Sequence, residues 1–172
     1  MTNPNRLFIH YLVRLRALLL RIDAFDSGIT GQRLHPDMFP LLQQATTAIG
    51  FSLRATCPLA GRDIVSFRQA AGTLASTLAE LDATLAYLAA LPDDAFDGRD
   101  GLRVQTAAGF ADLDFSARDY YDLYAMPNFF FHYAMVYAIA RQAGVPIGKA
   151  DFDGFHSYPA GFTFARAGDP AA

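Results

Sequence analysis

The sequence predicts an all-α protein, a four-helix bundle with a small β-hairpin between the third and fourth helices. Along two segments, apolar residues recur at alternating spacings of four and three, which places them on one side of a helix. Residues 102–115 instead alternate apolar and polar side chains in two short runs, as a half-buried hairpin does. Since 52% of the 172 residues are apolar, we expect a single domain spanning residues 1–172.

The first two helices are predicted from an apolar stripe and from the turn residues around them. Helix one is expected over residues 4–25, and its stripe consists of Phe8, Leu12, Leu15, Leu19 and Ile22. A turn with two glycines then ends it. Pro36 disfavours helical geometry at the residue before it. Helix two is therefore expected to begin around Met38, behind an N-cap at Asp37, and to end near residues 56–57.

The last two helices have clear boundaries in the sequence. Helix three is expected over residues 74–91, because Pro92 follows a stripe formed by Leu74, Leu78, Leu81, Leu85 and Leu88. Ser116 is the expected N-cap of the last long helix, with Asp119 in the capping-box position. Gly144 is expected to end this helix in a left-handed conformation.

Composition and charge exclude two classes of partner. The formal net charge is -3 and basic residues are scattered, so we expect no nucleic-acid ligand. Residues 123–140 are 18 residues without a formal charge, near the minimum for crossing a bilayer. Pro127, Asn128 and His132 interrupt this stretch, so we expect a central helix of a soluble core and no membrane.

Cys57 is the only cysteine, which excludes an intramolecular disulfide and favours the reducing cytoplasm.

The candidate site lies in the last helix, where polar residues stand within its most aromatic stretch. Asn128 and His132 are four residues apart and project from the same face, which Tyr124 extends by one turn. Pro127 has no amide hydrogen, so a kink or restart of the helix is expected beside Asn128. Unpaired polar groups in an apolar interior cost about 1–3 kcal/mol each, so these side chains need partners.

These partners allow two interpretations. In the structural one, Asn128 and His132 only form hydrogen bonds across the core, to partners among Gln43, Gln44, Asp37, Tyr120, Tyr121 and Tyr124. In the functional one, they line a pocket where His132 is a metal ligand or an acid–base group and Asn128 orients the bound molecule. A firm metal site needs about three protein ligands, and none of the other histidines, His10, His35 and His156, shares a helix turn with His132.

Three stretches, taken together, resemble a known family. They are RLHPDMFPLLQQ at residues 33–44, VQTAAGFADLDF at residues 104–115 and MPNFFFHYAMVYAIARQAGVPIGKADFDG at residues 126–154. In this order they resemble the domain-of-unknown-function family 1993 (DUF1993), a branch of the DinB/YfiT-like superfamily, over roughly residues 5–155. The resemblance implies a DinB-like four-helix bundle, often dimeric, in a superfamily described as one of metalloenzymes.

The resemblance also implies a metal site, from which this sequence departs. Members elsewhere in the superfamily hold zinc or nickel with three histidines, and some are thiol-dependent transferases. Where those relatives have HxxxH on the last helix, this chain has Asn128 and His132, and Gln44 stands where the helix-two histidine would be. Because amides are poor substitutes for imidazole toward these metals, we expect a degraded metal site and no required cofactor.

The leading hypothesis is a cytoplasmic homodimer that binds a small molecule in a pocket formed by Gln44, Tyr124, Asn128, His132 and Asp37, without a tightly held metal. The first alternative is a metal-dependent hydrolase or thiol-dependent transferase, with zinc or nickel bound by His132 and two ligands from His10, His35, Asp37 and His156. The second is a dimeric interaction protein without catalysis, whose interface is formed by Phe152, Phe155, Tyr158, Phe162 and Phe164. These aromatics lie in a tail, residues 150–172, that is predicted to be irregular, with residues 167–172 disordered.

Overall fold

The computed structural model describes residues 3–99 and 101–164 and confirms an all-α bundle with a small hairpin. Its first half consists of α1 (Asn5–Phe25), a 3-10 helix (Ser27–Gly31), α2 (Leu41–Leu59) and α3 (Leu74–Ala90). A second 3-10 helix (Asp93–Phe96) leads to strands β1 (Arg103–Ala108) and β2 (Ala111–Ser116). The remaining helical segments are α4 (Ala117–Asp119), a π-helical turn (Tyr120–Ala125), α5 (Met126–Gln142) and α6 (Lys149–Asp153).

α1 buries the stripe that its sequence predicts. The five stripe residues, Phe8, Leu12, Leu15, Leu19 and Ile22, are all fully buried. Burying an apolar side chain of this size stabilises the fold by about 1.5–3 kcal/mol relative to leaving it exposed. Through this stripe α1 packs against the rest of the bundle, chiefly against α3 and α6.

The predicted start of helix two is wrong by three residues, because α2 begins at Leu41 with Pro40 in the N-cap position. Asp37 is exposed and does not cap the helix. Its backbone amide donates a hydrogen bond to Nδ1 of His35 at 3.1 Å, which closes a local turn before the helix. Short side-chain to backbone bonds of this kind compete with helix formation.

The predicted end of helix two is also early, since α2 continues through Pro58 to Leu59. Proline lacks the amide hydrogen that would bond the carbonyl four residues earlier, that of Arg54. The Tyr120 hydroxyl donates a hydrogen bond to this carbonyl at 2.9 Å. The partner missing within α2 is thus supplied from the π-helical turn, and the helix continues for one more residue.

α2, rather than the aromatic last helix, is the element buried on most of its sides. Its interior positions include Ala45, Ala48, Ile49, Leu53, Ala55 and Cys57, all at most 2% exposed. α5 packs against α2 with one face only and leaves Phe131 52% exposed on the other. In the described ranges, no helix is both long and apolar enough to cross a bilayer.

α3 turns a partly polar face toward the interior. Its N-cap, Thr73, forms a capping box with Ser76. Leu81 and Leu88 of the predicted stripe are buried, while its other leucines, Leu74, Leu78 and Leu85, are only half-buried. Buried in their place are four polar residues of the same helix, Ser76, Thr77, Glu80 and Thr84. α3 contacts both α1 and α2, so this polar face lies between packed helices.

The predicted hairpin is confirmed, with β1 and β2 antiparallel and Val104 opposite Phe115. Gly109 and Phe110 form a two-residue turn, in which Gly109 has φ +60, as the first position of a type II′ turn requires. Val104 is buried and Phe115 is half-buried, so this face of the hairpin packs on the bundle.

Both predicted ends of the last long helix are confirmed, but its interior and the tail differ from expectation. The Ser116 hydroxyl accepts the Asp119 backbone amide at 3.1 Å, and Gly144 has φ +87 just beyond α5. Between these ends the helix is divided by the π-helical turn. Part of the predicted irregular tail is helical, since it includes most of α6 (Lys149–Asp153). Residues 167–172 lie outside the described residues.

Candidate functional site

The helix restarts at Met126, next to Pro127, whose missing amide predicts a restart in this region. The π-helical turn ends at Ala125, and the Met126 amide bonds the carbonyl five residues earlier, that of Tyr121. Pro127 then occupies the first turn of α5, where a missing donor costs little. The Asn128 side chain donates to the Tyr124 carbonyl at 2.7 Å. Asn128 therefore supports the backbone of its own helix at the point where the hydrogen-bond pattern changes.

Of the candidate partners that the sequence offers for His132, one forms a hydrogen bond with it among the described residues. Its Nδ1 lies 2.7 Å from Oε1 of Gln44, which is on α2. The Gln44 amide nitrogen donates to the Phe39 carbonyl at 3.2 Å. Because this second bond orients the amide, Oε1 faces the ring as an acceptor and Nδ1 must carry the hydrogen. In neutral His132, Nε2 is therefore the nitrogen with a free lone pair.

Aromatic rings and burial keep this imidazole neutral and fixed. Phe39 and Phe51 stack on it, with interplanar angles of 15° and 19°. Burial, together with the nearby positive charge of Arg54, lowers the pKa of His132. The side chain is 9% exposed, so it keeps a small accessible edge. Nδ1 is occupied by Gln44, and Nε2 makes no hydrogen bond with any described residue.

Tyr124 and Asp37, the other two predicted pocket residues, differ in how near they lie to His132 and Gln44. Tyr124 packs on Phe51, which also stacks on His132, and its hydroxyl donates to the Ala107 carbonyl of the hairpin at 3.4 Å. Tyr124 therefore joins the π-helical turn to the hairpin and borders the His132 environment through one shared ring. Asp37 is exposed, and its backbone amide donates a local hydrogen bond to His35.

Comparisons with known proteins agree on the family and the fold of this chain. The model of a domain of unknown function, DUF1993, matches residues 6–153. The chain belongs to this family. A solved structure, a DinB family member protein from Shewanella denitrificans, matches with a TM-score of 0.80 at 24% identity, over 91% of this chain and 92% of that chain. This likeness shows the DinB-like fold. Comparison with curated proteins gave no match.

A three-histidine metal centre does not fit the residues of this DUF1993 chain. Within residues 3–99 and 101–164, no group of three or more His, Cys, Asp or Glu side chains is placed to hold a metal ion. His10 and His156 both contact Asp153, where α6 meets α1, and His35 accepts the Asp37 amide in the loop before α2. His132 has an amide, Gln44, at its Nδ1 instead of a further imidazole.

The sequence analysis missed a second polar region, on the opposite side of the N-terminal half of α2. A cleft of about 730 Å³ lies between the start of α2, the start of α3 and the loop joining them. Gln43 and Glu80 line it, whereas Gln44, Asn128 and His132 do not. The leucine stripe of α3 drew the prediction away from Glu80. Glu80 directly precedes Leu81 of that stripe, and a charged residue in this position was a usable signal.

Proposed function

We propose that this chain is a small-molecule-binding DinB-like protein in which Nε2 of His132 contacts the ligand. The observation that supports this proposal is the pair of hydrogen bonds from His132 to Gln44 and from Gln44 to the Phe39 carbonyl. This pair orients the ring and leaves a lone pair on Nε2 of a group that is neutral at pH 7. A neutral imidazole nitrogen accepts a hydrogen bond, so the ligand offers a hydroxyl, amine or amide hydrogen there.

The surroundings of His132 favour a ligand with an apolar or aromatic body. Phe39, which stacks on the imidazole, is itself 44% exposed, and the neighbouring Phe131 is 52% exposed. Exposed rings beside an oriented polar atom are typical of small-molecule sites, which combine apolar walls with few polar contacts. In this proposal Tyr124 and Asn128 hold the helix that carries His132, and Asp37 has no role.

The metal-dependent hydrolase and the thiol-dependent transferase have no observation that favours them. Their proposed ligands, His10, His35 and His156, make their hydrogen bonds to Asp153 and Asp37. Binding through a single neutral imidazole remains the chemistry that these contacts support.

Self-association through the tail is a second candidate property, supported by a group of exposed rings. Tyr158 stacks on Phe162 at 5.0 Å, and Phe164 packs edge-on against both. Phe162 and Phe164 are 50% and 76% exposed, so a second copy of the chain would bury them. We propose a homodimer on this basis, and a cytoplasmic location on the basis of the single buried Cys57. Light scattering of Phe162→Ser with Phe164→Ser tests the dimer, which the proposal predicts to dissociate.

The binding proposal is tested by NMR of the histidine rings during titration with a fragment library of aromatic hydrogen-bond donors. We expect at least one fragment to shift the His132 ring signals while those of His35, which is exposed, stay unchanged. The His132→Asn variant, whose amide overlays Nδ1 and can still bond Gln44 but places no group at the Nε2 position, is expected to lose this binding. If no fragment perturbs His132, or if binding is unchanged in His132→Asn, the proposal is wrong.

A further inference from the structure

The cleft between α2 and α3 contains a buried carboxylate that has no partner. Glu80 lines this cleft of about 730 Å³ and is only 4% exposed. Its side chain makes no hydrogen bond and no ion pair with any described residue. Carboxylates that are withdrawn from water are almost always paired, because an unpaired one loses its hydration without compensation. The Glu80 oxygens are not sealed from solvent, so the carboxylate can be reached from the cleft and is a candidate ligand-binding group there.

A positive charge faces the same cleft without closing on Glu80. Arg68, in the loop between α2 and α3, lines the cleft and acts electrostatically on Glu80. The two side chains are not within ion-pairing distance, and the Arg68 guanidinium forms no ion pair with any described carboxylate. Burial raises the pKa of Glu80, and the charge of Arg68 only partly opposes this. The two opposite charges therefore line the same cleft without pairing with each other.

The rest of the lining is suited to a small polar molecule. Gln43, Thr46 and Gln69 contribute amides and a hydroxyl, and Pro40 and Leu42 contribute apolar surface. The volume falls in the range of small-molecule sites, about 300–1,000 Å³. A lone cation would pair with Glu80 only, and a lone anion would pair with the exposed Arg68 but be repelled by Glu80. A molecule that carries both charges satisfies both groups.

We propose that the α2–α3 cleft binds a small zwitterion of the amino-acid type, with its ammonium group toward Glu80 and its carboxylate toward Arg68. This site is separate from the one at His132, since the two share no lining residue and lie on different sides of α2. It therefore goes beyond the function proposed above and does not depend on it.

The test is thermal unfolding of the full chain with each of the twenty L-amino acids, followed by the N-acetyl and carboxamide forms of the one that stabilises most. At ten times its Kd, a ligand of the native state is expected to raise Tm by about 3–5 °C in a chain of this size. The N-acetyl form lacks the cation and the carboxamide lacks the anion, so each is expected to bind at least about tenfold more weakly.

Variants on both sides of the cleft make the test specific. Glu80→Gln and the exposed Arg68→Ala are each expected to abolish the Tm shift, and Arg68→Ala poses little risk to folding. Arg141→Ala removes an exposed arginine from α5, outside the cleft, and is expected to keep the shift. His132→Asn is also expected to keep it, which separates this proposal from the previous one. The proposal is overturned if no amino acid raises Tm, or if the shift persists in Glu80→Gln and Arg68→Ala.

Discussion

Gln43 and Gln44 are adjacent on α2 and face two regions that differ in how their buried polar groups are paired. Gln44 faces α5, where it bonds both His132 and the Phe39 carbonyl. Gln43 faces the α2–α3 cleft, where Glu80 is buried. On the α5 side His132 and Gln44 are paired with each other, and Nε2 of His132 has no partner in residues 3–99 and 101–164. Within these same ranges, neither Glu80 nor Arg68 on the α3 side forms an ion pair.

The two sides of α2 thus differ in whether their buried polar groups are paired within the described part of the chain. A buried polar group that is hydrogen-bonded adds about 0.5–1.5 kcal/mol to the free energy of unfolding and fixes the relative position of two helices. An unpaired one costs free energy and persists where something else compensates for it. The two sides of α2 should therefore respond in opposite ways to removal of their polar groups.

The largest expected effect is the loss of the Gln44 side chain. Gln44→Ala removes the acceptor of His132 Nδ1–H, which then lies buried and unpaired, so the free energy of unfolding should fall by about 1–3 kcal/mol. Gln43→Ala is the matched control, because its side chain makes no such bond, and should change it by less than about 0.5 kcal/mol. Urea unfolding of the two variants measures both. Equal losses would contradict the contrast between the two sides of α2.

Two buried threonines on α3 give a smaller contrast. The Thr84 hydroxyl donates to the Glu80 carbonyl at 2.8 Å, whereas the buried Thr77 hydroxyl has no partner among the described residues. Valine has the same shape but no hydroxyl, so Thr77→Val should be more stable than Thr84→Val by about 1 kcal/mol. Denaturant unfolding of both variants checks this order. A less stable Thr77→Val would show that its hydroxyl does have a partner.

Acidification should act on the His132 side by destabilising it. Because burial lowers the pKa of His132 below its unfolded value, the stability it contributes is present above that value and is lost as pH falls toward the folded pKa. Between pH 7.5 and pH 5.5, the wild type should therefore lose more stability than His132→Gln. Urea unfolding at both pH values gives the comparison. The same loss in both proteins would mean that His132 is not the group responsible.

Acidification should act on Glu80 in the opposite direction. Burial raises the pKa of Glu80, so its contribution to stability is present below the unfolded pKa and is lost as pH rises through the folded one. Glu80→Gln should thus be more stable than the wild type at pH 7, and the gap should narrow toward pH 5. Asp23→Asn, which changes an exposed aspartate of α1 that pairs with no described residue, is the control. A gap that does not change with pH would exclude ionised Glu80 as its cause.

The sequence was informative where a single residue dictates the local chemistry. Pro127 has no amide hydrogen, so the restart of the helix could be predicted, and so could the caps at Ser116 and Gly144. Gln44 could be given only as one of several partners for His132, because the two residues are 88 positions apart. Spacing within one helix does not determine which side chain of another helix will meet it.

The rest of the structure depends on contacts that no local pattern contains. The π-helical turn coincides with the bond from the Tyr120 hydroxyl to the Arg54 carbonyl, which Pro58 leaves free. The inward position of Glu80 arises because α3 is rotated so that only part of its leucine stripe is buried. A stripe with leucine at every predicted position does not reveal which edge of it will face the core.

The central claim is that Gln44 orients a neutral His132 with its lone pair on Nε2. Long-range ¹H–¹⁵N NMR of the imidazole at pH 7 tests this directly, since the two ring nitrogens of a neutral histidine have distinct shifts that identify the protonated one. The account predicts a protonated Nδ1 and an unprotonated Nε2, unchanged in Gln43→Ala. A protonated Nε2, or a ring that is charged at pH 7, would contradict it.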